Sequence, residues 1–342
     1  MLHNREYAQD TDKTFDYFYK AVQLNVCEAQ IELAHIYNKN VNYSMAFHFY
    51  TKAKNNGDPQ GIYYVGTFYE RGVHVGQDYK MAVHHYEKAA ELGHSEAQYR
   101  LAKMYNLGQG VRSNIIKAFE WYSKSASQGH PQSLYEVGVR YILGQSVEQD
   151  CEKAFVCVKE SAESGYTEAQ YKLGWMYECG IGIEVNETEA YYWYLKAAKE
   201  EHAISQYNVG KMCEAGRGVQ RNYKLSYEWY LKASYHENSD AQYRIALLYQ
   251  KGLGYPEDDA IAFEWLKRAA SNGNLNAQLR AGYMYHIGKG VLINYQKTFE
   301  WYTIAANRGN KTACYNLCSM YIKGQGVKKD YDKAMRLIIE TK

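Results

Sequence analysis

Three patterns in this chain have the residue types that chemistry needs. Cys314 and Cys318 stand one helical turn apart, a spacing that lets two thiolates share a metal ion. His84 and His85 are adjacent, and imidazole is both a metal ligand and a proton carrier. Gly-x-Gly turns such as Gly108-Gln109-Gly110 invite comparison with phosphate-binding loops. None of the three completes a site. A metal takes further ligands, and no other His or Cys accompanies Cys314 and Cys318, which read as small buried residues. His85 falls where other copies of a repeat carry tryptophan, so it reads as a packing imidazole. A dinucleotide loop needs a strand before it, and no strand pattern is visible, so the Gly-x-Gly segments read as structural turns. HExxH, CxxC pairs, GxSxG and GxxxxGK[ST] do not occur. The expectation is a non-enzyme with no catalytic residue, no cofactor and no metal.

The elements that carry these residues are copies of one unit. Copies begin at Ala29, Gly61, Ala97, Ser133, Ala169, Ser205, Ala241, Ala277 and Ala313, and from Gly61 onward every step is 36 residues. A fixed period of this size means stacked supersecondary units. Within one copy, Leu101, Ala102 and Tyr105 share a helical face, Gly108 and Gly110 stop that helix, and Ala118, Trp121, Tyr122, Ser125 and Ala126 form a second periodic run closed by Gly129. Each unit is a helix–turn–helix pair. A small residue recurs at Gly66, Ala102, Gly138, Gly174, Gly210, Ala246 and Gly282. Mid-helix glycine costs about 1 kcal/mol against alanine, so its recurrence predicts close helix approach there. No hairpin buries its apolar face alone, so stability is expected to be a sum of nearest-neighbour interfaces.

The pattern A-x-x-x-L-G-x-x-Y-x-x-G-x-G-V followed by K-A-x-x-W-Y-x-K-A-A-x-x-G, nearly complete over Ala169–Ala198, resembles the Sel-one-like repeat (SLR), a branch of the tetratricopeptide-like superfamily. The resemblance spans essentially the whole chain. It implies an all-α fold, a right-handed α/α solenoid of nine tandem repeats over 29–342, preceded by a tail and half-repeat helix over 1–28, about nineteen helices in all. It also implies a non-catalytic scaffold or adaptor that binds a protein or peptide partner. Relatives of this kind serve in degradation complexes of the endoplasmic reticulum, in fungal chitin synthase activation and in bacterial host interaction. Some bacterial relatives were proposed to bind β-lactams, but no serine with a partnering lysine motif appears here. The alternative is the substrate-recruiting repeat region of a larger signalling protein, such as a kinase.

Composition narrows the partners. Lys+Arg number 40 against Asp+Glu 38, so a net charge of +2 gives no support for nucleic acid or an anionic membrane. The start, MLHNREYAQDTDK, has no apolar core of a targeting signal, and no apolar run reaches membrane-span length. The seven cysteines fall at seven different repeat phases, whereas a disulfide ladder would repeat one phase, as in the secreted cysteine-rich relatives. Reduced thiols and a cytoplasmic setting are expected. The Asn-x-Ser/Thr sequons at Asn42, Asn186 and Asn310 are discounted as chance.

Departures from the repeat mark local expectations. Asp12–Leu24 fits a lone second helix. In the first unit Asn38-Lys39-Asn40-Val41-Asn42 replaces the glycine turn, with asparagine expected in the left-handed conformation. Glu201 and Glu237 replace closing glycines. Asn238 is expected to take the left-handed role beside Glu237, and packing is expected to be least regular near 199–204 and 235–240. Ile338 and Ile339 suggest an uncovered end, and with it either end-to-end self-association or a missing C-terminal continuation.

If the family geometry holds, the concave face of the solenoid carries the third, seventh and tenth residues of each unit. The third phase is nearly always tyrosine, which fits wedging between helices. The seventh and tenth phases vary as solvent or partner faces do, and Trp175 is a lone tryptophan among them. The expected partner-binding residues are Tyr99, Lys103, Asn106, Tyr135, Tyr171, Trp175, Glu178, Tyr207, Lys211, Glu214 and Tyr243, with Lys103, Trp175, Glu178, Lys211 and Glu214 forming a mixed, aromatic-centred groove.

Overall fold

The computed structural model describes residues 26–340, the side chains of 338–340 excepted. Among these residues are eighteen α-helices and no strand. They are α1 (Cys27–Lys39), α2 (Tyr43–Asn55), α3 (Pro59–Arg71), α4 (Tyr79–Glu91), α5 (Ser95–Leu107), α6 (Ile115–Ala126), α7 (Pro131–Leu143), α8 (Cys151–Glu163) and α9 (Thr167–Cys179). The rest are α10 (Glu187–Lys199), α11 (Ala203–Ala215), α12 (Tyr223–Tyr235), α13 (Ser239–Gln250), α14 (Asp259–Ser271), α15 (Leu275–Ile287), α16 (Tyr295–Asn307), α17 (Lys311–Lys323) and α18 (Tyr331–Glu340). They form nine hairpins of an all-α solenoid. The helix expected over Asp12–Leu24 and the exposure expected for Ile338 and Ile339 lie outside the described residues. The chain divides into two compact units, one running to Ala169 with Ile181–Ile183, the other made of Gln170–Gly180 and the chain from Glu184. Within each, helices pack on their neighbours in the chain.

Backbone demands recur at fixed phases and explain why the hairpins form. Gly72, Gly108, Gly144, Gly216, Gly288 and Gly324 end first helices with φ between 65° and 74°, the left-handed conformation that glycine adopts without a Cβ penalty. Asn or Asp then caps the second helix. Asp78, Asn114, Asn186 and Asn222 each accept from backbone N–H groups two or three residues on, at 2.9–3.1 Å. The asparagines of the three sequons are all helix caps, of second helices at Asn42 and Asn186 and of a first helix at Asn310: Asn42 accepts from Met45 N, Asn186 from Thr188 N, and Asn310 from Ala313 N.

The recurrent small residue marks close helix approach, with the carbonyls of Ala154 and Ser226 3.2 Å from a Cβ added to Gly138 and Gly210, and in four copies it is also a notch for a ring. A Cβ on Gly66, Gly174, Gly210 or Gly282 would fall 2.7–2.8 Å from Tyr86, Tyr194, Tyr230 or Tyr302 in the second helix of the same hairpin. Those tyrosines are buried, so the interlock expected between adjacent hairpins starts inside each one.

The left-handed residue is not where asparagine chemistry suggested. Glu201 (φ 60°) and Glu237 (φ 57°) adopt it themselves, and Val41 (φ 63°) adopts it in the first turn. The reason is the neighbouring cap. Asn238 accepts from Ala241 N at 2.9 Å and Asn42 from Met45 N at 3.2 Å, which requires extended or bridging backbone at the asparagine. The positive φ is displaced one residue back. The Glu237 turn repeats the backbone bonds of the glycine-closed turns, with Glu237 N reaching Ser234 O as Gly165 N reaches Ala162 O, and in the Glu201 turn His202 N reaches Ala197 O as Tyr166 N reaches Ser161 O.

Candidate partner-binding face

First helices carry all eleven residues singled out above. In the unit ending at Ala169, Tyr99 is half-buried against Tyr122 and His130, with ring centroids 5.9 and 5.0 Å away. Tyr135 meets Tyr166 edge-on at 5.5 Å. Lys103 is exposed, and the exposed Asn106 accepts from Arg140 Nη2 at 3.1 Å. In the other unit Tyr171 packs on Tyr194 and His202, and Tyr207 on Tyr230 at 5.7 Å. Trp175 is half-buried beside the cluster of Ala190, Tyr194 and Val209, and Lys172 Nζ lies 4.6 Å from its ring centre. Tyr243 is half-buried at the edge of a cleft.

The tenth-phase carboxylates, expected to face solvent or a partner, tie one hairpin to the next. Glu214 accepts from the Tyr230 hydroxyl at 2.7 Å and pairs with Arg244 of the following hairpin at 3.7 Å. Glu70 is held in the same way by Tyr86 at 2.5 Å and Arg100 at 3.7 Å. Glu178 accepts from Tyr194 and from Arg217 Nη2, both at 2.7 Å, with Lys211 at 3.9 Å. Burial would raise the Glu178 carboxyl, but the Tyr194 and Arg217 hydrogen bonds and the nearby cations lower it below the usual range. Lys211 stands in for the arginine that Asn208 does not supply. These carboxylates are only 16–21% exposed, because a half-desolvated charge is stable only when it is paired.

A second set braces the helix starts of the first unit. Glu96 accepts from His130 Nε2 at 2.8 Å, Arg100 Nε at 3.0 Å and the Tyr63 hydroxyl at 3.4 Å. Burial works against ionisation, yet the His130 and Arg100 hydrogen bonds prevail and hold the Glu96 carboxyl at about 2. His94, His130 and His202 cap helices through Nδ1, at 3.1–3.3 Å from Ala97, Ser133 and Ser205 nitrogens, and their rings lie on third-phase tyrosines.

Sequence reasoning missed these caps and the buried glutamines. The signals were a histidine after the closing turn and glutamine at the second phase. Gln98, Gln206 and Gln278 donate to the carbonyls of Ala90, Ala198 and Ala270 near the ends of the preceding helices.

The early chemical candidates are packing residues. His85 is buried and stacked on Tyr69 at 5.7 Å. Burial, with lesser help from Lys54, His84 and Lys88, lowers its imidazole to about 4. Cys314 and Cys318 are buried, and burial raises the Cys318 thiol, as it does that of Cys213. Among the described residues no three His, Cys, Asp or Glu side chains are grouped to hold a metal ion.

A family model described as the Sel1 repeat matches ten successive segments, 5–26, 27–58, 59–94, 95–130, 131–166, 167–202, 203–238, 239–274, 275–310 and 311–339. The chain is similar to the crystal structure of a protective antigen present in uropathogenic Escherichia coli strains and displaying an SLR fold. Identity is 27% over 95% of this chain and 78% of that one, with a TM-score of 0.80. It is also similar to a Sel1 repeat protein from Oxalobacter formigenes, at 28% identity over 91% of each chain and a TM-score of 0.63. No curated protein matches the chain.

Proposed function

The chain belongs to the Sel1 repeat family, whose members are in general interaction scaffolds, and from that premise we propose that it is a non-catalytic adaptor. It binds a protein or peptide partner along the face carrying the third, seventh and tenth residues of its first helices. One observation carries this reading. Tyr283 and Tyr315, at the seventh and third phases, are 51% and 58% exposed on helices capped at both ends. A large ring held rigid in water gives contact area to a partner at little entropic cost. Trp175 and Lys211 on the same phases extend that face. We place the protein in the cytoplasm, supported by seven free cysteines. No helix among the described residues is long and apolar enough to cross a membrane.

Affinity capture from the native extract, read by mass spectrometry, tests the proposal. A specific partner should be recovered and should be lost from the Trp175→Ala and Lys211→Glu variants, with thermal unfolding confirming that both remain folded. Capture unchanged in both variants, or no specific partner at all, refutes it.

A further inference from the structure

The carboxylate, phenol and guanidinium that brace successive hairpins follow a fixed spacing. From Glu70 the phenol is Tyr86 and the guanidinium Arg100; from Glu214 they are Tyr230 and Arg244. Applied from the next tenth-phase position, the same spacing gives Gln250, Leu266 and Arg280. The cation is kept while both companions are replaced, one by an amide and one by an apolar side chain. Arg100 has a second carboxylate one turn earlier, Glu96 at 3.0 Å; at that offset Arg280 has Asn276. Arg280 is exposed, and among the described residues no carboxylate lies within ion-pair distance of it.

At Arg280 lies a cleft of about 490 Å³ lined by α13, α15 and α17 residues, among them Tyr243, Gln250, Arg280, Tyr283 and Asn316. Two further cations, Lys251 and Lys289, line it, and no Asp or Glu does. Lys289 is engaged by Asp259 at 3.1 Å, but among the described residues no carboxylate lies within ion-pair distance of Lys251. The exposed faces of Tyr283 and Ile287 supply apolar surface beside the charge. Gln250 is poorly satisfied, with Nε2 against the Met284 sulfur at 3.2 Å and a buried Oε1 that, among the described residues, has no hydrogen-bond partner.

We propose that this cleft binds an acidic, leucine-bearing segment of a partner protein. An Asp or Glu side chain of that segment takes the place beside Arg280 that Glu70 and Glu214 hold beside Arg100 and Arg244. Charge complementarity selects this occupant: an exposed guanidinium at the cleft, with Lys251 beside it and no carboxylate in the lining, favours a carboxylate, which it engages through paired N–H donors. The apolar wall excludes water from that pair and receives the neighbouring leucines. The proposal rests on the scaffold reading and narrows it to one surface and one partner chemistry.

Fluorescence anisotropy on the full chain tests it with three labelled peptides. The first has a Leu-Glu-Leu-Glu-Leu core and an amidated end, the second has Gln for Glu, and the third is the Gln peptide with a free C-terminus. The Glu peptide should bind about tenfold or more tighter than the amidated Gln peptide, the scale of one charge-assisted contact. Arg280→Met should abolish that preference. So should Gln250→Glu, which supplies an internal carboxylate as two other hairpins do and leaves urea stability unchanged or higher. Equal binding of the Glu and Gln peptides, or a preference that survives Gln250→Glu, overturns the proposal. Free-terminus Gln peptide binding as well as the Glu peptide also overturns it, by moving the carboxylate to a chain end. An empty affinity capture counts instead against the scaffold reading, so the two failures are distinguishable.

Discussion

Alanine at Gly218 should cost markedly more stability than alanine at Gly129, although both glycines have φ in the left-handed region, 66° and 78°. Side chains pay a penalty of about 1–2 kcal/mol for that conformation, and it applies equally at both sites. The surroundings differ. A Cβ on Gly129 meets nothing within 4 Å, whereas one on Gly218 falls inside contact of the Glu187 carbonyl and 2.9 Å from Thr188 N, where α10 of the preceding hairpin begins. Backbone cannot rotate away as a side chain can, so the two hairpins must separate slightly. Overpacking of that kind adds about 1–3 kcal/mol. The expected losses are therefore about 1–2 kcal/mol for Gly129→Ala and about 2–5 kcal/mol for Gly218→Ala. His74 and Ser146 occupy the Gly218 phase in two other hairpins, so the fold admits a side chain there after local adjustment. That places the cost in the spacing of hairpins rather than in the turn alone. Equilibrium urea unfolding followed by far-UV circular dichroism reads the difference, and hydrogen exchange in α10 and α12 shows where it falls. Equal losses in the two variants would refute the idea that this turn sets the distance between hairpins.

Two further outcomes follow from the buried polar groups. His85, held neutral down to about 4 against an ordinary 6.5, contributes stability that is present above pH 6.5 and lost as pH falls towards 4, on the order of 3 kcal/mol at most. His85→Phe should flatten that limb of the stability–pH curve, and parallel curves for the two proteins would sink the assignment. Tyr230→Phe removes the hydroxyl that donates to Glu214 at 2.7 Å and should cost about 1–2 kcal/mol. A double-mutant cycle with Glu214→Gln should show coupling of similar size, and coupling near zero would mean that Arg244 alone holds the carboxylate.

Much of the fold was legible before any coordinate. Turn glycines and alternating large and small residues each answer a local backbone or packing demand that recurs once per hairpin. Local demands leave a residue type at a fixed phase, and a phase can be read from a string. The candidate face was less legible. The third phase showed its tyrosines but not the capping histidines beneath them, because a stacked pair joins residues about thirty apart that follow no rule of helix spacing. Glu70, Glu178 and Glu214 looked free to vary, since nothing in one unit announces that its carboxylate is consumed by a cation of the next.

By itself, the sequence determined that this protein is a run of helical hairpins, since each bend needs a residue that tolerates positive φ and each helix start needs an acceptor for its free N–H groups. Tertiary structure decided which glutamates are braced and that Glu237 rather than Asn238 bends the chain. It also decided that, among the described residues, no carboxylate lies within ion-pair distance of Arg280. The physical reason is reach. Caps and turns are satisfied within a few residues of chain, whereas burial and ion pairing depend on side chains that meet only when one hairpin is laid against another.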